Sequence, residues 1–185
     1  MSPERFAPGG PEAAHWQRVV VAVDPAVTCG EDSDETGIIV AALGKDGHCY
    51  VLADGSGRLE STPWARRVVA LFETWKADHV VVETNNGGDL VPQLLHRFAP
   101  NLPVRKVTAS RGKVTRAEPV SALYDTGKAH HVGCFPALEA QMTAFTADID
   151  RASQGSPDRV DALVWAISDL LKRPPQKARS IRLHG

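Results

Sequence analysis

Four acidic residues stand where a carboxylate is hard to explain by solubility alone. Asp24 ends the apolar run Val19-Val-Val-Ala-Val23 and is followed at once by Pro25. Glu83 ends the run Val80-Val-Val82 and is followed by Thr84, Asn85, Asn86, Gly87 and Gly88. Asp158 and Asp161 open the last apolar stretch of the chain, three residues apart and so on one side of a helix. A carboxylate closing a buried strand loses its hydration and needs a partner. If the Asp24 and Glu83 strands are parallel neighbours, both acids leave the sheet at one rim, about 4.8 Å apart. Two carboxylates that close repel, and one pKa must rise unless cations intervene. Mg²⁺ and Mn²⁺ take oxygen ligands, and no Cys or His cluster competes for another metal. Four such acids could hold two divalent ions about 3.5–4 Å apart, the spacing that clamps the attacking and leaving oxygens of a phosphodiester. Singly, each acid also has a plain reading. An acid before proline is an ordinary turn residue, and one in a helix's first turn is stabilised by the helix dipole. Their convergence is what carries chemistry.

The elements that must position these acids follow from pattern. Three valines in a row read as strands buried on both faces. The first strand covers Arg18–Val23, where Pro25 stops the ladder. Two apolar runs, Gly37–Leu43 and His48–Gly55, are joined by Gly44-Lys-Asp-Gly47 and predict a hairpin, so the first three strands form an antiparallel meander. Ser61-Thr62-Pro63 predicts a capped helix with Pro at its first position, and Trp64, Val68, Leu71, Phe72 and Trp75 give its apolar stripe. The strand to Glu83, a helix over Leu90–Phe98, a strand over Leu102–Val107 and a helix over Lys113–Thr126 containing Pro119 come next. A loop or short strand at His130–Cys134 and a helix at Pro136–Phe145 follow. Ser153-Gln-Gly-Ser-Pro157 breaks the chain before a helix over Asp158–Leu171, with Ser156 at its N-cap and Pro157 at its first position. Its core stripe is Val160, Leu163, Val164, Ile167 and Leu171, with the two acids opposite or oblique to it. Strands joined by helical crossovers must pair in parallel. The expected fold is therefore α/β, a mixed five-stranded sheet of meander plus parallel strands with helices on both faces. In an open α/β sheet, ligands bind at the carboxyl rim of the strands.

With 185 residues, 43% of them hydrophobic, the chain suffices for one domain with its own core. Residues 1–16 read as a flexible leader, 17–172 as the domain, and 173–185 as a flexible basic tail. Net charge is −1, but the charges are segregated: Asp24–Glu35 carries five acids and no base, Arg105–His131 six bases against two acids, and Lys172–Arg182 five bases and no acid. An acidic centre flanked by basic stretches suits metal ions and a polyanion. Cys29, Cys49 and Cys134 are an odd, scattered set, which argues against disulfides and structural zinc and fits a reducing cytoplasm. There is no apolar run long enough to span a bilayer, no signal-peptide pattern, and no GxxxxGK[ST] phosphate loop.

The residues also carry a resemblance. Val-Ala-Val-Asp24-Pro25, the acidic loop to Asp34-Glu35-Thr36-Gly37, Val-Val-Glu83-Thr-Asn, Lys113-Val-Thr-Arg116-Ala-Glu-Pro119 with Tyr124, Gly127 and His130 after it, and Ser156-Pro-Asp158-Arg-Val-Asp161-Ala-Leu-Val-Trp165 resemble, in order, the nuclease domain of tailed-bacteriophage terminase large subunits. The similarity covers roughly residues 18–172. It implies an RNase H-like fold and metal-dependent cutting of double-stranded concatemeric DNA during genome packaging in the bacterial host cytoplasm. The family's acids on its first and fourth strands fall on Asp24 and Glu83, and that of its final helix on Asp158. An acid three residues on, as in resolvases of the same fold, matches Asp161. Family members often have two adjacent acids in that helix. Here the first of those positions is Pro157, which leaves the division of labour between Asp158 and Asp161 open. A packaging ATPase domain, a small terminase and a portal are the implied partners. The family's ATPase motor is missing from this sequence, which is either an excised domain or a protein that works without its own motor.

Charge and family position together assign Lys113 and Arg116 to DNA phosphates, with Lys106, Arg111 and the tail bases adding to the field. Asn85 and Asn86 are turn residues that could support substrate, His130 and His131 could aid proton transfer, and Trp64, Trp75 and Trp165 are read as core. Three rivals fit the same sequence: a Holliday junction resolvase, a catalytically silent DNA-binding or portal-docking module, and an actin-like nucleotide-binding ATPase, against which the lack of Gly-rich phosphate loops counts.

Overall fold

The structure, a computed structural model, describes residues 15–25, 35–84, 89–145 and 157–172. Strand β1 (Trp16–Asp24), β2 (Gly37–Gly44) and β3 (Cys49–Asp54) form the antiparallel meander. Helix α1 (Ser61–Trp75) leads to β4 (His79–Glu83), α2 (Leu90–Phe98) to β5 (Val104–Val107), and α3 (Lys113–Asp125) to β6 (Ala129–His131); α4 (Pro136–Ala144) and α5 (Asp158–Leu171) follow. The sheet order is β5-β4-β1-β2-β3-β6. β4 pairs in parallel with β1 and β5, and β6 with β3.

The sheet thus has six strands where five were expected. The sixth, β6, overlaps the start of the stretch His130–Cys134, read from sequence as a loop or short strand; it is three residues long, contains two histidines and has no apolar run. The backbone contacts that β3 offers at Cys49, Tyr50 and Val51 draw it in. β1 begins at Trp16, inside the segment read as leader. The rest of that leader up to residue 14, most of the acidic loop, Asn85, Asn86, Ser156 and the tail from 173 lie outside the described residues.

Period-2 alternation divides the strand residues between two cores. Val19, Val21, Val23, Val80 and Val82 face α1 and α2, where Trp64, Val68, Val91 and Leu95 cover them. Val20, Ala22, Ile39, Ala41 and Val81 face α3, α4 and α5. Helices therefore cover both faces. Helix α1 begins at Ser61 as expected, but Glu60 holds the N-cap position without a side-chain cap bond, and Pro63 sits inside the first turn. Its missing N–H is harmless there, since first-turn N–H groups have no partner within the helix. Helix α3 runs through Pro119.

Helix α5 departs most from its expected two-sided character. Its acids lie oblique to the stripe, but they are not on a solvent face: Asp158, Asp161 and Asp169 are buried, as are Trp165 and Leu170, while Leu171 is exposed. It lies against β1, β2 and β4 and is the central helix of its layer. Pro157 occupies its N-cap position instead of the first helical one. Among the described residues no helix is long and apolar enough to cross a membrane.

Candidate active site

The same alternation that builds the cores aims the two strand acids. Val20 and Ala22 face α5, so Asp24, two residues on, faces it as well. Val81 faces α5, and so does Glu83. The parallel register matches Val23 with Val82, so the next residues, Asp24 and Glu83, end neighbouring strands at one rim. The expectation of adjacent carboxylates on one side of the sheet holds.

The first turn of α5 is brought over that rim by two devices. Gly37 pairs with Asp24 across β1 and β2, and a Cβ at Gly37 would collide with the backbone carbonyl of Asp158. Only glycine lets the helix come this close. On the helix's other side, Arg159 sends Nε to Glu35 Oε2 at 2.9 Å, Nη2 to Glu35 Oε1 at 3.1 Å and Nη1 to Asp54 Oδ2 at 2.6 Å. Its backbone N–H donates to Gln141 Oε1 of α4 at 3.2 Å. The planar, multiply bonded guanidinium ties the helix start to β3 and to Glu35, two residues before β2, and the backbone N–H ties it to α4. Asp158 and Asp161 are left 6% and 3% exposed.

From the opposite side, α3 supplies cations. The Lys113 ammonium donates to Asp161 Oδ2. Arg116 reaches Asp161 Oδ1 at 3.5 Å through Nη2 and lies 3.7 Å from Glu83 Oε2 through Nη1. Its guanidinium carbon stands 4.5 Å from the centre of the Trp165 ring, a cation–π contact. Trp165 Nε1–H in turn donates to Glu83 Oε2 at 2.5 Å. Lys113 and Arg116, assigned from sequence to DNA phosphates, thus sit within the acid cluster. Trp165, read as core, is buried but has its polar edge on one of the four acids. The signal that could have found it is spacing: 158, 161 and 165 are i, i+3 and i+7 on one helical stripe.

These cations do not balance the cluster. Burial, and then the neighbouring Asp161, Glu83 and Asp158 carboxylates, push the Asp24 carboxyl from 3.8 up to about 8, with Lys113 pulling the other way. Among the described residues no three His, Cys, Asp or Glu side chains stand ready-grouped as a metal site. The arrangement is an all-oxygen donor set with excess negative charge, with α3 side chains between its members. Such a set suits a hard divalent cation more than a thiolate or imidazole metal.

The remaining candidates lie elsewhere. Lys106, on edge strand β5, is half exposed and pairs with Asp89 at 2.5 Å. Arg111 is exposed just before α3. His130 and His131 are on β6, at the far edge of the sheet from β4, and so away from the acids. His131 bonds Tyr124 at 2.8 Å and Glu139 at 3.0 Å, and His130 contacts His48 at 2.9 Å.

A family model described as the terminase RNase H-like domain matches residues 21–170. No curated protein sequence matches the chain. Among solved structures, the large terminase nuclease of thermophilic phage G20c with bound magnesium aligns at TM-score 0.60 and 16% identity, over 82% of each chain. The nuclease domain of the large terminase subunit of bacterial virus Sf6, in a manganese-containing structure, aligns at TM-score 0.58 and 14% identity, over 87% of this chain and 90% of that one. The large terminase of bacteriophage HK97 aligns at TM-score 0.63 and 12% identity, over 82% of this chain but 39% of its own length. At such identities the likeness to these structures is one of fold.

Proposed function

The chain belongs to the terminase RNase H-like domain family, and on that premise we propose that it is a metal-dependent endonuclease domain of a phage or prophage large terminase. Its substrate is double-stranded concatemeric DNA, cut in the bacterial host cytoplasm during genome packaging. The packaging ATPase, small terminase and portal are its working partners.

The observation that carries the reading is the unbalanced carboxylate cluster at the carboxyl rim of β1 and β4, with Asp24 at about 8. Asp24, Glu83, Asp158 and Asp161 are the residues that would hold two Mg²⁺ or Mn²⁺ ions. Their oxygens fit such ions in kind. Bound divalent ions would supply an activated water and charge stabilisation at the leaving 3′ oxygen. No protein nucleophile is required. Lys113 and Arg116 keep the acids folded together before loading, and would meet a DNA phosphate once that charge is taken over. Lys106 and Arg111 extend a basic path that gives affinity without reading sequence.

The test is cleavage of supercoiled plasmid in Mn²⁺ or Mg²⁺ by the full chain. Asp24→Ala and Glu83→Ala should each lower the rate by about 10²–10³ or more, the usual scale for removing one group that stabilises transition-state charge. Cleavage surviving in both variants, or in EDTA, overturns the reading. Salt-sensitive DNA binding with no cleavage by the unsubstituted chain would instead leave a silent binding module.

A further inference from the structure

We propose that Trp165 is a positioning residue of the acid cluster: its indole N–H sets the orientation of the Glu83 carboxylate toward a divalent ion, and its ring face holds the Arg116 guanidinium that offsets part of the acids' charge. This rests on the nuclease reading and adds to it a residue that touches neither DNA nor metal.

The geometry is specific. Nε1–H donates to Glu83 Oε2 at 2.5 Å, and fixing one oxygen of a planar carboxylate fixes the rotation of the whole group. Arg116 stands 4.5 Å above the same ring, with its Nη1 3.7 Å from the same Oε2, too long for a hydrogen bond. The Nε and Nη1 atoms of Arg116 are buried with no hydrogen-bond partner, so the ring face and the longer ionic contacts are what hold that end of the guanidinium. A residue that only filled space would need the ring alone. Here both the edge and the face of the indole meet charged groups of the cluster. A hydrogen bond from a non-ligating side chain to a metal-ligating carboxylate orients the ligand, and its loss commonly costs 10–100-fold in metal affinity.

The full chain and its Trp165→Phe and Glu83→Gln variants are titrated with Mg²⁺ alone by calorimetry, with thermal melts as the folding control. Trp165→Phe keeps a ring face for Arg116 and removes the donor. Its Mg²⁺ affinity should fall by about tenfold or more, and kcat for plasmid cleavage should fall with KM for DNA unchanged. A packing role alone would lower the melting temperature and leave the affinity of the folded protein as it was; that result overturns the proposal. Mg²⁺ binding weakened by Glu83→Gln but not by Trp165→Phe overturns it alone. No Mg²⁺ binding by the unsubstituted chain, and no Mn²⁺ binding in a parallel titration, overturns the nuclease reading and this proposal together. Should Trp165→Phe fail to fold, the ¹⁵N-labelled unsubstituted chain decides. Of its four tryptophans, one indole N–H signal should move on adding Mg²⁺, and the same signal should move upfield in Glu83→Gln. If no signal does both, Trp165 does not orient Glu83.

Discussion

Helix α5 has a buried carboxylate environment at each end, and the two are kept in opposite electrostatic conditions. Toward its C-terminus Asp169 is 1% exposed and takes His79 Nε2 and Arg105 Nη1, each at 2.7 Å. Burial alone would raise its carboxyl, but these two bonds hold it below the ordinary range. Toward its N-terminus Asp158 and Asp161 join Asp24 and Glu83, and the Asp24 carboxyl is pushed up to about 8. The helix and the sheet face are the same. What differs is the supply of fixed cations. At one end the chain meets its own buried charge, and the group is part of the frame that also includes the Arg18 bond to the Leu170 carbonyl. At the other end, among the described residues, two cations, Lys113 and Arg116, face four carboxylates. Burial of an acid alone therefore does not point to a metal site; burial together with like charges close by is what makes the N-terminal end the candidate.

The two ends should differ most in their effect on stability. Asp169→Ala removes one partner from a buried ionic pair and should cost about 3 kcal/mol, the low end of the usual range because Arg105 is 41% exposed and water takes up part of the loss. That is a drop of roughly 10 °C in melting temperature for a domain of this size. Asp24→Asn in EDTA at pH 8 should go the other way and raise the melting temperature. The signs follow from linkage. The folded-state carboxyl of Asp24 lies above its ordinary 3.8, so its contribution is full below about 4 and is lost as pH rises through about 8. That of Asp169 lies below, so its contribution is present above the ordinary value and lost as pH falls. Metal-free melts from pH 4 to 8 should therefore slope downward through Asp24 and flatten in Asp24→Asn. A lower melting temperature for Asp24→Asn than for the unsubstituted chain at pH 8 breaks the contrast.

Arg116→Ala tests the N-terminal end from the cation side. It strips one resident counter-charge from the unbalanced end, where a charge-assisted contact is worth about 1–3 kcal/mol. In EDTA the variant should melt lower than the unsubstituted chain. Saturating Mg²⁺ should recover more of that loss than it adds to the unsubstituted chain, because the ion then supplies what the guanidinium did. The measurement is the difference between melts with and without Mg²⁺. An equal Mg²⁺ increment in both proteins would mean that Arg116 and the ion do not share the same acids.

The strand acids and their rim were readable from sequence because period-2 alternation and chain-stopping residues, Pro25 after Asp24 and the Asn-Gly run after Glu83, fix both face and end. The site's interior was not. Asp169 meets partners 90 and 64 residues away, and Arg159 meets Glu35 across 124. No local pattern encodes such pairings. Trp165 has the size and spacing of a core residue, and periodicity cannot distinguish a ring that only packs from one whose edge meets a carboxylate. Lys113 and Arg116 read as outward bases, since a lysine or arginine at a helix start is usually solvated. The deficit of the acids is what turns them inward.

The smallest expected effects concern the bases that lie outside both ends of α5. Lys106 is 51% exposed, and its partner Asp89 is 70% exposed. Such a pair is worth at most about 1 kcal/mol, so Lys106→Ala should shift the melting temperature by no more than a few degrees in either buffer. Arg111, also exposed, should behave alike. If these residues contact phosphates, each substitution should instead weaken DNA binding similarly for unrelated sequences and reduce the slope of log affinity against log salt by about one. Filter binding or anisotropy across a salt series reads both quantities. Arg116→Ala should change that slope as well as the Mg²⁺ increment, whereas Lys106→Ala and Arg111→Ala should change the slope alone. A Mg²⁺ increment altered by either surface variant would mean that the cluster's charge is set from farther away than the α3 side chains in contact with it.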